Sequence, residues 1–439
     1  MPKRCFTSLP VSGNFFLIAS VFVFAVTGAK AAPSSASETA LPALPRLFAW
    51  PAQPLVAAKA DIDAGGKTLL PALGKLRADA DRVLKRKVES VLDKTEIPES
   101  GDKHDYLSIG PYWWPDPKKP DGLPWIRRDG QVNREGRSAG DSDAFFRLSD
   151  SVWTLALAWY LTDHAPYAEQ AAKITRIWFL DPGTRMNPDL EYAQAVPGVS
   201  KGRDIGIIDS VILINLTDGL ALLENSAAWT AEDRDGMHAW VSRYLDWLLS
   251  SKNGRSEQKQ LNNHGTWYDT QVVQFALVTG RTRLARDTLL KARSARLLAQ
   301  VLPDGRQLRE LDRTSPLHYS AYNARALLTL AFQATHVGLG PEWWTSLESG
   351  ETAPRLRKAL EFISPYASPQ VHWVSSNGKG DNQENARAPI RQLLGLATAH
   401  YTDASFRKLS DPPAVRNDAS NNTPNLPWPE ERWQFFVTR

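Results

Sequence analysis

Apolar residues recur every three or four positions along most of this chain, and that period limits what it can build. Phe145, Leu148, Val152, Leu155 and Trp159 step this way, as do Tyr167, Ala171, Ile174 and Trp178, and again Met237, Val241, Tyr244 and Leu248. An α-helix turns once in about 3.6 residues, so each set falls on one face and marks a helix with one buried stripe. The connections recur as well. LALAWYLTDHAPYAEQAAKITRIWF and QFALVTGRTRLARDTLLKARSARLL both run apolar helix, short polar turn, amphipathic helix. Thr230 and Asp233 have capping-box spacing before a third such partner, and LLGLATAHYTDASFRKL reads as a fourth pair. Repeated antiparallel hairpins predict an all-α fold, an α/α toroid or incomplete barrel with long loops forming a cleft at one rim. No segment alternates in the way a strand requires.

The two ends stand apart from this pattern. Lys3 and Arg4 precede the apolar run Phe15 to Val26, and Ala29-Lys30-Ala31 has small residues where a signal peptidase cuts, so residues 1–31 read as a secretory signal. Residues 32–55, rich in Ala, Pro and Ser, read as an extended leader, and 56–439 as a single domain ending in an irregular strap over about 410–439. The expected location is outside the cytoplasm, periplasmic or secreted, with no membrane attachment once the signal is removed. The lone cysteine, Cys5, falls inside the signal, so the folded part relies on its core rather than on disulfides. Loss of Lys3, Arg4 and Lys30 lowers the formal charge from +4 to +1, so affinity for a polyanion must come from a local cleft.

Three segments carry polar and aromatic groups at a density that packing alone does not require. His104 to Gly130 holds Tyr106, Tyr112, Trp113, Trp114 and Trp125 beside Lys118, Lys119, Arg127 and Arg128, with prolines and glycines that forbid a long helix. Aromatic faces stack on sugar rings and cations attract their carboxylates, although a loop pinned to the core by tryptophans has the same composition. Met186 to Asp209 adds Asn187, Tyr192, Gln194 and Arg203, groups that line polar-ligand sites or serve turns.

LNNHGTWYDTQ, Leu261 to Gln271, sets Asn262, Asn263 and His264 before an apolar helix starting near Thr266. One of them suffices as a cap; donors gathered at a helix N-terminus also suit an anion. RELDRTSPLHYSAYNA, Arg309 to Ala324, places Arg313 six residues before Tyr319, in the first turn of the next helix. A guanidinium beside a phenol favours the phenolate, though Tyr319 and Tyr322 also have the spacing of a packed pair.

Together NNHGTW, YLSIGPYWWPDP, LPWIRRDG, the MNPxLEYAQAxPG loop and ExxRTxxLHYS resemble the alginate lyase domain, the α/α-toroid polysaccharide lyases that include alginate and glucuronan lyases. The resemblance spans roughly Lys103 to Tyr322, with similar helical texture to about residue 400. It implies an active site of Asn263, His264, Arg313 and Tyr319. The better-known alginate-degrading branch places one more residue between Arg and Tyr, and its Lys- and Tyr-bearing lid loop has no match here, so the sequence is closer to the glucuronan-lyase-like branch.

The implied reaction is β-elimination on a 4-linked polyuronate. Asn263 and His264 would neutralise the carboxylate beside the C5 proton, and Tyr319, kept competent by Arg313, would remove that proton and return it to the C4 oxygen where both lie on one ring face. On guluronate or iduronate they lie on opposite faces, and His264 is the group available as a second base. Tyr106, Trp113, Trp114, Arg127, Arg128, Tyr192 and Gln194 would hold neighbouring sugars. The scheme asks for no metal and no cofactor, no nucleic-acid partner, and a monomer suffices. Two alternatives stay open. An inverting hydrolase would need two carboxylates across the cleft, from Asp105, Asp116 and Asp129. A non-catalytic exported protein could use the same aromatics and cations only to bind an acidic polysaccharide.

Overall fold

The computed structural model describes residues 44–128, 130–374, 384–402, 404–410 and 432–436, and these form the α/α toroid. Helices Ser142–Thr162, Ile212–Leu222, Asn263–Val278, Pro316–Thr335 and Glu384–Ala397 pack side by side as an inner layer. Nearly every residue of 263–278 and 316–335 is buried, which fits elements surrounded on all sides. The outer layer is helices Ala165–Thr175, Ala231–Ser250, Thr282–Ala292 and Arg355–Ile363, each burying one stripe against an inner helix. The expected hairpins are present, and so is the Thr230–Asp233 capping box. Asp204–Leu222 is long and apolar enough to cross a membrane by length and composition, yet here it is mostly buried within the toroid.

The inner helices also bury amides, and these pair with one another. Gln274 Nε2 donates to Asp218 Oδ1 at 2.7 Å, and Gln333 Nε2 donates to Gln274 Oε1 at 3.0 Å. A buried polar group without a partner costs about 1–3 kcal/mol, so this ladder fixes the register of three helices.

The leader expected over 32–55 ends sooner, because its last part belongs to the body. Leu47, Phe48, Ala49 and Trp50 are buried, and the first helix already begins at Ala52. Asp218 accepts from the backbone N–H groups of Phe48 and Ala49, and Trp50 donates from Nε1 to Asn215 Oδ1 at 2.9 Å. Trp50 stacks on Trp153 and meets Phe436 of the short Arg432–Phe436 turn. These contacts bridge the gap between helix 384–397 and helix 142–162. The expected signal sequence and most of the expected strap lie outside the described residues.

Short strands tie down the rim loops, where no strand was expected. β1 (Leu107–Ile109) pairs parallel with β4 (Tyr192–Ala195), and β2 (Trp113–Trp114) pairs antiparallel with β3 (Ile126–Arg127). Two to four residues are too few for alternation to register in a sequence. The pairings join segment 104–130 to segment 186–209 and set both at one end of the toroid.

Candidate active site

The rim loops and two inner-helix entrances enclose a cleft of about 430 Å³, which holds Asn263, His264, Arg313 and Tyr319 together. The first pair stands at the N-terminus of helix 263–278, which starts three residues earlier than its apolar pattern indicates. The three polar residues there have separate partners. Asn262 is the cap, its Oδ1 accepting from His264 N at 3.2 Å. Buried Asn263 donates from its backbone N and from Nδ2 to the two carboxylate oxygens of Glu310, each at 2.7 Å. His264 Nδ1 lies 2.7 Å from Glu257 Oε1.

That last contact sets the charge of His264. Burial disfavours its protonated form, but the carboxylates of Glu257 and then Glu310 outweigh burial and hold its pKa above the ordinary histidine value. Glu257 is 1% exposed, and burial pushes its own pKa up against the pull of His264. The contact occupies Nδ1 and leaves the other ring nitrogen unoccupied by Glu257, and the carboxylate favours the protonated ring. The helix N-terminus adds a positive field of the same sense. Gly265 is needed for this packing: a Cβ there would lie 2.1 Å from Gln260 O and 2.5 Å from Arg296 Nη1. Arg296 in turn ties Gln258 O and Gln260 O to Asp269 and holds the segment before the helix in place.

Across the cleft, helix 316–335 presents Tyr319 in its first turn, as its proline start predicts. Arg313 Nη2 donates to Tyr319 Oη at 2.9 Å, and its guanidinium carbon lies 3.9 Å from the ring centroid. Tyr112 Oη is 3.1 Å from Tyr319 Oη, so two phenols and a guanidinium meet at one point. His318 and Tyr322 extend that wall.

The residues expected to hold neighbouring sugars divide. Trp113, Arg127 and Gln194 line the cleft. Gln194 has φ +48°, a strained value for a non-glycine residue, and is clamped by Arg203 donating to both of its oxygens and by its own Nε2 donating to Asp209 Oδ1 at 3.0 Å. Tyr106 does not face the cleft. It is 1% exposed, and its hydroxyl donates to Asp209 Oδ2 at 3.0 Å, so it props the floor from beneath. Trp114 lines a neighbouring hollow instead, because adjacent residues of β2 point to opposite faces, and Arg128 lies over its ring outside the cleft lining. Tyr192 also lies outside the lining, with Lys201 over its ring.

Glu257 and Glu310 were not among the expected site residues, and Tyr112 and Arg203 were named in their loops without a role. Tyr112 had a signal, sitting beside Trp113 in the aromatic loop, and Glu310 is the acidic position of ExxRTxxLHYS. Glu257 belongs to none of the motifs and had no such signal. Among the described residues no cluster of three or more His, Cys, Asp or Glu side chains is placed to hold a metal ion.

A helical toroid whose rim cleft sets a histidine-bearing helix entrance against an arginine-paired tyrosine, with aromatic walls, defines a polysaccharide lyase. The sequence profile described as alginate lyase matches residues 90–373, and the chain belongs to that family. It is 36% identical to an alginate lyase from Bacteroides ovatus of known crystal structure, with a TM-score of 0.77, covering 84% of this chain and 95% of that one. Alginate lyase A1-III, solved as a histidine-to-alanine variant complexed with tetrasaccharide, is 13% identical over 83% of this chain and 91% of its own, with a TM-score of 0.52, and shares the fold. No curated protein matches by sequence.

Proposed function

We propose that this chain cleaves a 4-linked β-D-uronate polymer, glucuronan or polymannuronate, by syn β-elimination, leaving a C4=C5 unsaturated uronate at the new end. The observation that carries the reading is the Arg313–Tyr319–Tyr112 cluster facing Asn263 and His264 across one cleft. The C5 proton is weakly acidic while its carboxylate keeps full charge. Cationic His264 and the remaining donor of Asn263 take that charge and stabilise the enolate-like intermediate. Tyr319, its phenolate favoured by the Arg313 guanidinium, accepts the C5 proton and passes it to the departing C4 oxygen. With its proton held by Glu257, His264 is suited to clamp rather than to act as a base, which favours substrates whose C5 hydrogen and C4 oxygen share a face.

Hydrolysis is less well supported. Asp105 is buried under Asn187 and Ser100, Asp116 sits in a turn outside the cleft, and Asp129 lies outside the described residues. Asp209 is the one carboxylate lining the cleft among the described residues, where an inverting hydrolase needs two. The signal-like N-terminus supports export to the periplasm or beyond, where such polymers occur.

The test is to follow ultraviolet absorbance of the unsaturated uronate while the protein acts on glucuronan, polymannuronate, polyguluronate and a neutral glucan. A rise on either β-D-uronate polymer is expected. Reducing ends without a chromophore would mean hydrolysis, and silence despite binding would leave only a binding protein.

A further inference from the structure

Beneath the cleft, one buried amide joins the two helices whose entrances face each other across it. Asn323 follows Tyr319 by four residues in helix 316–335, so it lies one turn below the tyrosine on the same face, about 6 Å away. Both hydrogens of its Nδ2 are used. One goes to Gln300 Oε1 at 2.9 Å and the other to Gln307 Oε1 at 2.8 Å.

Each glutamine leads to the group that holds the substrate carboxylate. Gln300 Oε1 also accepts from Thr266 Oγ1 at 2.9 Å, and its Nε2 donates to the Asn262 carbonyl at 3.3 Å, so it grips the first turn of helix 263–278 from inside. Gln307 Nε2 returns to the Ser320 carbonyl at 3.0 Å, in the helix of Tyr319 itself. The Gln307 carbonyl accepts from Glu310 N at 3.0 Å and starts the turn Leu308–Leu311. That turn carries Glu310, which binds Asn263, and the Glu310 carbonyl accepts from Arg313 N at 3.1 Å. Thr266, Gln300, Gln307 and Asn323 are all buried, and none lines the cleft.

The two helices do not need this hub to stay together. Further from the cleft, Gln333 Nε2 donates to Thr270 O at 3.1 Å and to Gln274 Oε1, and apolar residues fill the rest of the contact. A leucine would fill the place of Asn323 without the cost of taking an amide out of water. What the amide supplies is direction, because its bonds fix how far one helix entrance stands from the other. Removal of the C5 proton depends on that span. Asn263 and His264 hold the carboxylate of the same sugar whose C5 Tyr319 must reach, so an error between the entrances reaches the proton undiminished, where 1 Å costs about a hundredfold. We infer that Asn323 is a positioning residue of the reaction, acting through Gln300 and Gln307 to set the span between Tyr319 and the Asn263–His264 clamp. The inference rests on the lyase reading and deepens it.

Asn323→Leu keeps most of the volume and removes both donors. On a polyuronate that the unaltered protein cleaves, and at a temperature where circular dichroism shows both folded, kcat should fall by about tenfold to a hundredfold with KM within about twofold. The Arg313–Tyr319 and Glu257–His264 contacts do not pass through Asn323, so both limbs of the pH profile should stay in place. A parental kcat in the folded variant would make Asn323 a structural amide and overturn the inference, as would a loss lying chiefly in KM. Thr266→Val removes one hydroxyl at the other end of the same network and serves should Asn323→Leu not fold, with kcat lower by about threefold to tenfold and KM unchanged. The double variant should be no slower than Asn323→Leu alone, because one break already frees the span; losses that multiply would mean two independent packing defects and would also overturn it. If the unaltered protein forms no unsaturated product on any polyuronate, the lyase reading falls and takes this one with it, whereas parental turnover in both variants removes this inference alone.

Discussion

Arg313 touches Tyr319 in two ways at once: its Nη2 lies 2.9 Å from the phenol oxygen while its guanidinium carbon sits 3.9 Å from the ring centroid. The arginine can therefore stabilise negative charge on the oxygen and hold the ring in one position. A side chain that serves as base and then as acid needs both. Tyr319→Phe keeps the ring and removes only the hydroxyl, so the fold and polymer binding should persist while turnover falls by about a hundredfold to ten-thousandfold. Initial rates of unsaturated-uronate formation, with binding measured by calorimetry on the same preparation, check this. Turnover at the parental rate would remove Tyr319 from the mechanism.

Tyr112 reaches the same oxygen from the opposite loop, 3.1 Å away, although the two residues are 207 positions apart in the chain. Its hydroxyl is a second donor to a Tyr319 phenolate. Tyr112→Phe should lower kcat by about tenfold, the worth of one hydrogen bond to a charged group. It should also move the acid-side limb of the rate profile to higher pH, because an undonated phenolate is harder to form. A fall in kcat with an unmoved limb would make Tyr112 a substrate contact instead.

The pH response on the alkaline side depends on His264. Its pKa is raised, with burial opposing and Glu257 and Glu310 prevailing, so the imidazolium is present below the raised value and is lost as pH climbs through it. Above that point a neutral ring whose Nδ1–H still donates to Glu257 turns an acceptor toward the substrate carboxylate, and the clamp fails. Glu257→Gln removes the main raising influence and leaves burial, which lowers the pKa. The alkaline limb of kcat/KM should then move down by about one pH unit or more, with the acid limb in place. A limb that stays put would assign it to a group other than His264.

Much of this was legible in the sequence, and the parts that were not share a cause. The inner and outer helices could be read because each spans several turns and repeats its apolar step. Asn263, His264, Arg313 and Tyr319 could be named because motif and chemistry coincide there. The substrate-facing list divided at β2, where Trp113 and Trp114 are equivalent in composition and only strand geometry sends one into the cleft and the other away. Tyr106 looked like a sugar platform, yet its hydroxyl satisfies Asp209, 103 positions distant, and no local pattern encodes that. Glu257 belongs to no motif, and its side chain is 1% exposed where it meets the histidine. Long-range pairing of polar groups is set by the closed toroid, so it appears only once the helices are in place.

Glu310 offers a stricter test of how the site is held. Both of its oxygens accept from Asn263, one from the backbone and one from the side chain, and both residues are buried. Glu310→Ala would leave two buried donors unmet at a helix entrance and should cost about 1–3 kcal/mol of stability for each donor that finds no water. In Asn263→Ala the backbone N–H still donates, so only the side-chain bond is lost. The double variant therefore should not be as destabilised as the two singles combined, with a coupling of about 1–3 kcal/mol in a denaturant cycle. Activity separates the roles further. On the proposed mechanism Asn263→Ala removes a group that meets the substrate and should abolish measurable turnover, whereas Glu310→Ala leaves the amide present but free to rotate and should retain a reduced kcat with KM little changed. If Glu310→Ala is as inactive as Asn263→Ala at a temperature where both are folded, Glu310 does more than orient its partner, and its carboxylate must enter the charge balance that the clamp presents to the polymer.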